Sequence, residues 1–401
     1  MDVSFESRTY LPAHGTESHG ADPGNTHVLL YEYLSLDVQD PAATSGFYLR
    51  AGGWGRADLA DETFGRDTNS ELQYAFLGWR APRLNAEARL GRVSLTSGVA
   101  RNEVFDGALL GSDLPLGFDV TLFGGIPVET DDDDRSSDTL YGARLSQGRA
   151  GLYRIGASYL KEKDDEIALR EEAGVDVDFT PHLLVELSGN SLYNVTDDAW
   201  ARHDYRLVVG PFAKRVKLSA RWSQTDYQHY FTDQVNVVFA IAPTTEEKLD
   251  AIGGGLEIAL GRGFTLFGEY TSYSYDVAES AQAFGGSLEW AGSGFTAGAG
   301  YRQMDGSVDE DRYQQYRANV AKSFGALNVA LGGEYVAYEV EINGEKNATT
   351  GRLTLGYALS KSLEVSASAE YGVTPEYERE VNALLAAVWR YDVETKKGGA
   401  K

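Results

Sequence analysis

Alternation at period two, repeated from one end of the chain to the other, most limits how this sequence can fold. In 362–371, Leu363, Val365, Ala367, Ala369 and Tyr371 fall on one parity, and Glu364, Ser366, Ser368 and Glu370 on the other. Residues 215–222 set Val216, Leu218, Ala220 and Trp222 against Arg215, Lys217, Ser219 and Arg221. The pattern returns in 172–179 and in 152–159, 182–188, 263–271, 326–335 and 352–357. Successive side chains of a strand point to opposite faces, so each segment has one apolar and one polar face. No stretch approaches the ~18 consecutive apolar residues of a spanning helix.

A soluble sandwich also alternates, and loop length separates the two cases. Short turns at 146–149, 180–181, 261–263, 291–293, 323–325 and 360–362 alternate with longer polar loops at 12–27, 55–70, 127–137, 161–166, 224–247, 304–311, 340–347 and 373–377. Short periplasmic turns alternating with longer, acidic outer loops is the arrangement of outer-membrane barrels. The chain is therefore expected to be all-β: a closed antiparallel transmembrane β-barrel of about 22 strands, an even number as such barrels require. The number falls to 20 if 3–11 and 104–111 are not strands. Segment 229–242 is expected to lie in an outer loop, because a strand there would break the parity. Residues 1–391 form one barrel in this reading, and 392–401 a polar tail.

Composition narrows the function. There is no cysteine, hence no disulfide, thiolate metal site or Cys-x-x-Cys-His haem attachment. The formal net charge of −24 argues against a nucleic-acid partner. Met1 leads straight into Asp2-Val3-Ser4-Phe5, so a secretion signal is expected to have been removed before this numbering begins. Tyr31, Tyr33, Trp54, Trp79, Tyr153, Tyr159, Trp222, Tyr335, Tyr357, Tyr371, Trp389 and Tyr391 sit near strand ends, where aromatic girdles meet the two membrane interfaces. Outer-membrane lipid and lipopolysaccharide are the surroundings this implies.

No catalytic signature is present: no Gly-x-Ser-x-Gly, His-Glu-x-x-His, Walker loop or dinucleotide fingerprint. An enzyme would need a clustered nucleophile and base, which the sequence does not offer. His14, His19 and His27 share one segment with Asp22, read as a solvated loop in preference to a metal site. The run Asp131 to Asp134 lacks the spacing of a Ca²⁺ loop and is likewise read as solvated. The polar parity carries both signs of charge: Arg50, Glu87, Arg89, Arg144, Arg154, Glu186, Arg202, Asp204, Arg206, Arg215, Lys217, Arg221, Glu269, Glu334, Arg352, Glu364 and Glu370. A bore this wide is usually plugged, and no domain is left over to plug it, so another molecule is expected inside.

The run Leu30-Tyr31-Glu32-Tyr33-Leu34-Ser35-Leu36-Asp37 is followed by 52–59, 71–77, Leu90-Gly91-Arg92 and Phe105-Asp106-Gly107. Together with 170–176 and 226–231, these segments resemble the barrel subunit of the porin–cytochrome conduits that metal-reducing bacteria use for extracellular electron transfer. The resemblance implies a barrel without covalent haem of its own. It would sheathe a periplasm-facing multihaem c-type cytochrome that hands electrons to an outer-surface multihaem cytochrome. Haem is then expected only in the partner. Arg89, Arg144, Arg154, Glu186, Arg202, Arg206, Arg215, Lys217, Arg221, Glu269 and Arg352 are the expected contacts in the bore. The alternative is a general diffusion porin for small hydrophilic solutes. That reading requires a loop folded inward as a constriction, with 97–116 or 224–247 as candidates.

Overall fold

The computed structural model describes residues 2–18, 26–39, 46–60, 68–128, 138–164, 167–230, 247–306 and 308–393. Twenty-two strands make a single sheet. They are β1 (Asp2–Ser18), β2 (Thr26–Gln39), β3 (Gly46–Asp58), β4 (Thr68–Ala81), β5 (Ala86–Ser97), β6 (Ala100–Leu114), β7 (Phe118–Pro127) and β8 (Asp138–Arg149). Next come β9 (Tyr153–Asp164), β10 (Ile167–His182), β11 (Val185–Asn194), β12 (Ala199–Phe212), β13 (Val216–Asp226), β14 (Lys248–Gly261) and β15 (Phe264–Tyr275). The remainder are β16 (Ala281–Gly292), β17 (Phe295–Asp305), β18 (Tyr313–Phe324), β19 (Leu327–Ile342), β20 (Glu345–Ala358), β21 (Leu363–Val373) and β22 (Tyr377–Val393). Each pairs antiparallel with its neighbours in the chain, and β1 pairs with β22 from Val3↔Val393 to Ser18↔Tyr377. The cylinder is closed.

Register assigns the two faces. Leu90, Leu122, Leu145, Ile155, Ile252 and Leu331 stay open to the surroundings on one face, with Leu90 66 % and Ile252 63 % exposed. Side chains of that size left open around a whole cylinder need hydrocarbon, so this is the lipid face. The opposite parity carries the ion pairs and lines the bore. Trp79, Tyr153, Tyr159, Trp222, Tyr335, Tyr357, Tyr371, Trp389 and Tyr391 lie on the lipid face, as girdle residues should. Tyr31, Tyr33 and Trp54 do not. Their register with Tyr10 and Arg8 turns them into the bore, which corrects the girdle reading for those three.

Loop lengths segregate by end, with strands longer than expected. The short turns among the described residues are at 82–85, 115–117, 150–152, 183–184, 213–215, 262–263, 293–294, 325–326 and 359–362, so those expected at 146–149 and 180–181 move a few residues onward. At the other end β1 continues to Ser18, where a loop from residue 12 was expected. The expected loop 340–347 shrinks to the two-residue turn Asn343-Gly344. Above the membrane both strand faces meet water, so the apolar parity fades while the hydrogen-bond ladder continues. His14 and His27 are cross-strand partners with stacked rings 6.3 Å apart, whereas His19 and Asp22 lie outside the described residues. So do Asp131 to Asp134 and the greater part of 229–242. Its first residues end a one-turn helix, α1 (Tyr227–Tyr230).

The lipid-facing parity carries a charge on β2. Glu32 shares the parity of Leu34 and Leu36 and accepts hydrogen bonds from Ser7 Oγ and Thr9 Oγ1, both at 2.5 Å. The two hydroxyls supply what water cannot reach there.

The long-loop end is tied by Glu247, which is 2 % exposed. Its carboxylate accepts the N–H groups of Asp276 (2.7 Å), Val277 (3.0 Å), Ala278 (3.0 Å) and Lys248 (3.2 Å). Burial pushes this carboxyl up, but the four N–H donors together outweigh it and hold the group below the ordinary carboxylate value. A carboxylate lowered in the folded state stabilises above the unfolded value, and that stabilisation is lost as pH falls through the folded one. Amide exchange at Asp276, Val277 and Ala278 is therefore expected to accelerate as the pH drops below the ordinary carboxylate range. In Glu247→Gln the same amides should already exchange fast at neutral pH, and unchanged rates would refute the tie.

Candidate functional site

The bore is interrupted by part of its own wall. Pairing of β4 with β5 ends at Ala75↔Arg92, and pairing of β6 with β7 begins at Phe105↔Pro127. Between those limits β5 and β6 pair with each other, and the Val128 N–H donates to the Val104 carbonyl at 2.9 Å. The hairpin leaves the sheet at Gly91, whose φ of +127° L side chains rarely adopt. A Cβ there would stand 2.3 Å from the Ala75 carbonyl oxygen. Gly91→Ala is expected to lower stability by about 1–3 kcal/mol and to be read in urea titrations of the folded barrel; a neutral result would remove Gly91 as the hinge.

The tip folds inward and lies along the bore face of the strands that follow it in the sheet. The Val99 N–H donates to Ser158 Oγ on β9 at 3.0 Å. A Cβ on Gly98 would meet the same oxygen at 2.3 Å and Arg144 Cδ at 3.3 Å. Val93, Val99, Ala100 and Phe105 of the hairpin form one buried cluster with Tyr48, Phe76, Phe123, Leu140, Leu160 and Leu192. Those partners sit on the bore faces of β3, β4, β7, β8, β9 and β11, on both sides of the hairpin. Apolar side chains inside a polar bore are thus accounted for: they are the hairpin's seat.

Charges lock the tip sideways. Arg101 donates to Glu172 at 2.6 Å, and Arg170 to Glu103 at 2.6 Å. Arg170 Nε also lies 3.2 Å from Glu172 Oε2, a charge contact without hydrogen-bond alignment. Glu162, also buried, adds a third carboxylate near Arg170, and Glu172 is only 3 % exposed. The Arg101 guanidinium sits over the Tyr230 ring at 4.6 Å, and Tyr230 Oη accepts from Arg202 at 3.2 Å. The first residues of the 224–247 segment therefore close down on the hairpin. Beneath the tip, Arg144 holds Asp176 bidentately at 3.2 and 2.6 Å.

The bore residues expected from sequence divide as follows. Register places Arg89, Arg144, Arg154, Glu186, Arg202, Arg206, Lys217, Arg221, Glu269 and Arg352 on the bore face. Arg215 is the exception. It lies in the exposed 213–215 turn, its N–H bonded to the Phe212 carbonyl at 2.9 Å, because the β12–β13 ladder ends at Phe212↔Val216. Glu186, Arg206, Lys217 and Glu269 come together around a recess of about 640 Å³. Arg206, Arg221 and Glu269 share another of about 720 Å³ with Asp176 and Asp204. Most of the cations hold carboxylates: Lys217 with Glu257 at 2.9 Å, Arg221 with Asp204 at 2.8 Å, Arg352 with Glu370 at 2.6 Å, and Arg89 with Glu87 at 2.7 Å. Arg101, Glu103, Ser158, Arg170 and Glu172 were not among the expected site residues. The sequence signal for them is the loss of clean alternation across 104–111, where Phe105 and Leu109 as well as Ala108 and Leu110 are apolar. Among the described residues, no group of three His, Cys, Asp or Glu is placed to hold a metal.

A closed 22-strand antiparallel cylinder with a lipid face and a charged, partly occluded bore is a large porin-like barrel of the outer-membrane type. The translocation pore of the P pilus usher PapC superposes with a TM-score of 0.56 at 9 % identity, covering 98 % of this chain and 100 % of that one. The outer membrane protein OpdK of Pseudomonas aeruginosa superposes at 0.50 with 10 % identity, covering 98 % and 99 %. At such identities the likeness is one of fold. The chain matches no protein-family model and no curated protein.

Proposed function

We propose that the chain is an outer-membrane porin that conducts small hydrophilic solutes, with the β5–β6 hairpin as its constriction. The observation that carries this reading is the seat of Val99 on Ser158, because an inward-folded segment is what a diffusion porin requires; of the expected 97–116 only the part before Phe105 turns inward, together with the end of β5, while Phe105–Leu114 stays paired in the wall. The charged bore and the recesses beside the hairpin agree with passage of hydrated solutes. Chemistry on the solute is not part of this reading.

The family resemblance implies a different occupant, a multihaem cytochrome sheathed for electron transfer. The likeness to PapC and OpdK carries nothing specific to such conduits. The hairpin also takes up room that a guest protein would need. One preparation tests both. The full chain is extracted from its native membrane, examined for haem absorbance, and fused into planar bilayers. Stable ion conductance without haem is the expected result. Haem co-purifying in proportion to the barrel, with a silent bilayer, would overturn the porin and favour the sheath.

A further inference from the structure

Aromatic rings line the bore of β1–β3, where a water-filled barrel normally carries polar side chains. Tyr10 packs edge-on to Tyr33 at 5.6 Å, Tyr33 stacks on Tyr31 at 6.3 Å, and Tyr31 leans on Trp54 at 6.1 Å. All four are half-buried, unlike Tyr48 and Phe76, which are used up under the hairpin. On β4 the Tyr74 ring lies across Gly52, where a Cβ would meet it at 2.5 Å, so the row continues flat against the wall. Tyr10, Tyr31, Tyr33 and Tyr74 border a recess of about 480 Å³, and Trp54 extends the row beside it.

We infer that this row is a binding platform for neutral oligosaccharides, an inference that rests on the porin reading and names its solute. A pyranose ring presents an apolar face of C–H bonds, which dispersion and C–H contacts hold against an aromatic ring. Its hydroxyls, in pairs, suit planar carboxylate, guanidinium and amide groups. Glu6, Arg8 and Gln73 border the same recess. The local charges are already spent on one another. Glu6 holds Arg8 at 2.5 Å and Arg390 at 2.6 Å, and Glu71 accepts the Trp54 indole N–H at 3.0 Å. A charged solute would have to break those pairs, whereas a neutral one need not. With strands about 4.8 Å apart, a row crossing β1 to β4 runs roughly 14 Å, suited to several sugar units in line.

The test titrates maltohexaose into the detergent-solubilised full chain by calorimetry and adds it to the same channel in a planar bilayer. Saturable binding and current block are expected. Tyr33→Ala and Trp54→Ala should each weaken binding about tenfold, while Tyr33→Phe retains it and salt conductance without sugar is unchanged. A conducting channel that binds neither maltohexaose nor cellohexaose would overturn the platform and leave the porin standing. So would sugar binding indifferent to Tyr33→Ala and Trp54→Ala, or binding of benzoate in place of sugar. Sugar binding by a chain that conducts nothing would uphold the platform and sink the porin.

Discussion

Replacing residues 94–104 by an Asn-Gly turn raises the single-channel conductance of the barrel on the order of threefold or more, because a bore of 22 strands is wide wherever nothing fills it. The edit joins Val93 to Phe105, which already face each other in register, and Asn-Gly suits a two-residue hairpin. The sheet below Arg92↔Asp106 keeps its ladder, so the cylinder itself should survive. Selectivity among small ions should fall with the rise in current. Unchanged conductance in a barrel that still resists unfolding in detergent would show that the constriction lies elsewhere.

Glu172→Leu is expected to unlatch the hairpin without deleting it. The buried carboxylate faces Arg101 at 2.6 Å and Arg170 at 3.2 Å, and removing it takes away the carboxylate that Arg101 holds. Breaking a buried pair of this kind costs about 3–5 kcal/mol, and the lower end applies here, since Arg101 is a third exposed and Arg170 keeps Glu103. Two readouts follow. Open-channel noise should increase as the tip leaves Ser158, and trypsin should cut after Arg101, a bond the intact latch protects. Glu172→Gln, which retains a hydrogen-bond acceptor, should fall between. A quiet, trypsin-resistant Glu172→Leu channel would mean that apolar packing alone holds the tip.

Lipid on one side and water on the other is the reason so much of the cylinder was legible in the sequence. Each spanning segment must alternate, so parity alone places Arg89, Arg206, Lys217 and Glu269 on the bore. It misplaces Arg215, where the strand has ended and parity has no meaning. The same logic fails wherever the two-solvent condition fails. Strand ends that rise above the membrane look like loop, as at 12–18 and 340–347. Segment 104–111 looks weak as a strand because lipid covers Ala108 and Leu110 while the hairpin's seat covers Phe105 and Leu109. Tyr31, Tyr33 and Trp54 look like girdle residues because position along a strand says nothing about face. The latch was invisible for another reason. Arg101 and Glu172 are 71 residues apart, and no local pattern relates them.

The seam between Asp2–Ser18 and Tyr377–Val393 has a consequence for biogenesis. A nascent or partly folded sheet of twenty-one strands exposes two raw edges, each a template for aggregation. Neither edge can be capped until the final strand arrives, since its partner lies 388 residues away at Ser4 and Asp392. Folding strand by strand as the chain emerges is therefore a poor route. The polypeptide has to be kept unfolded in transit and zipped shut last, at the junction of β1 with β22.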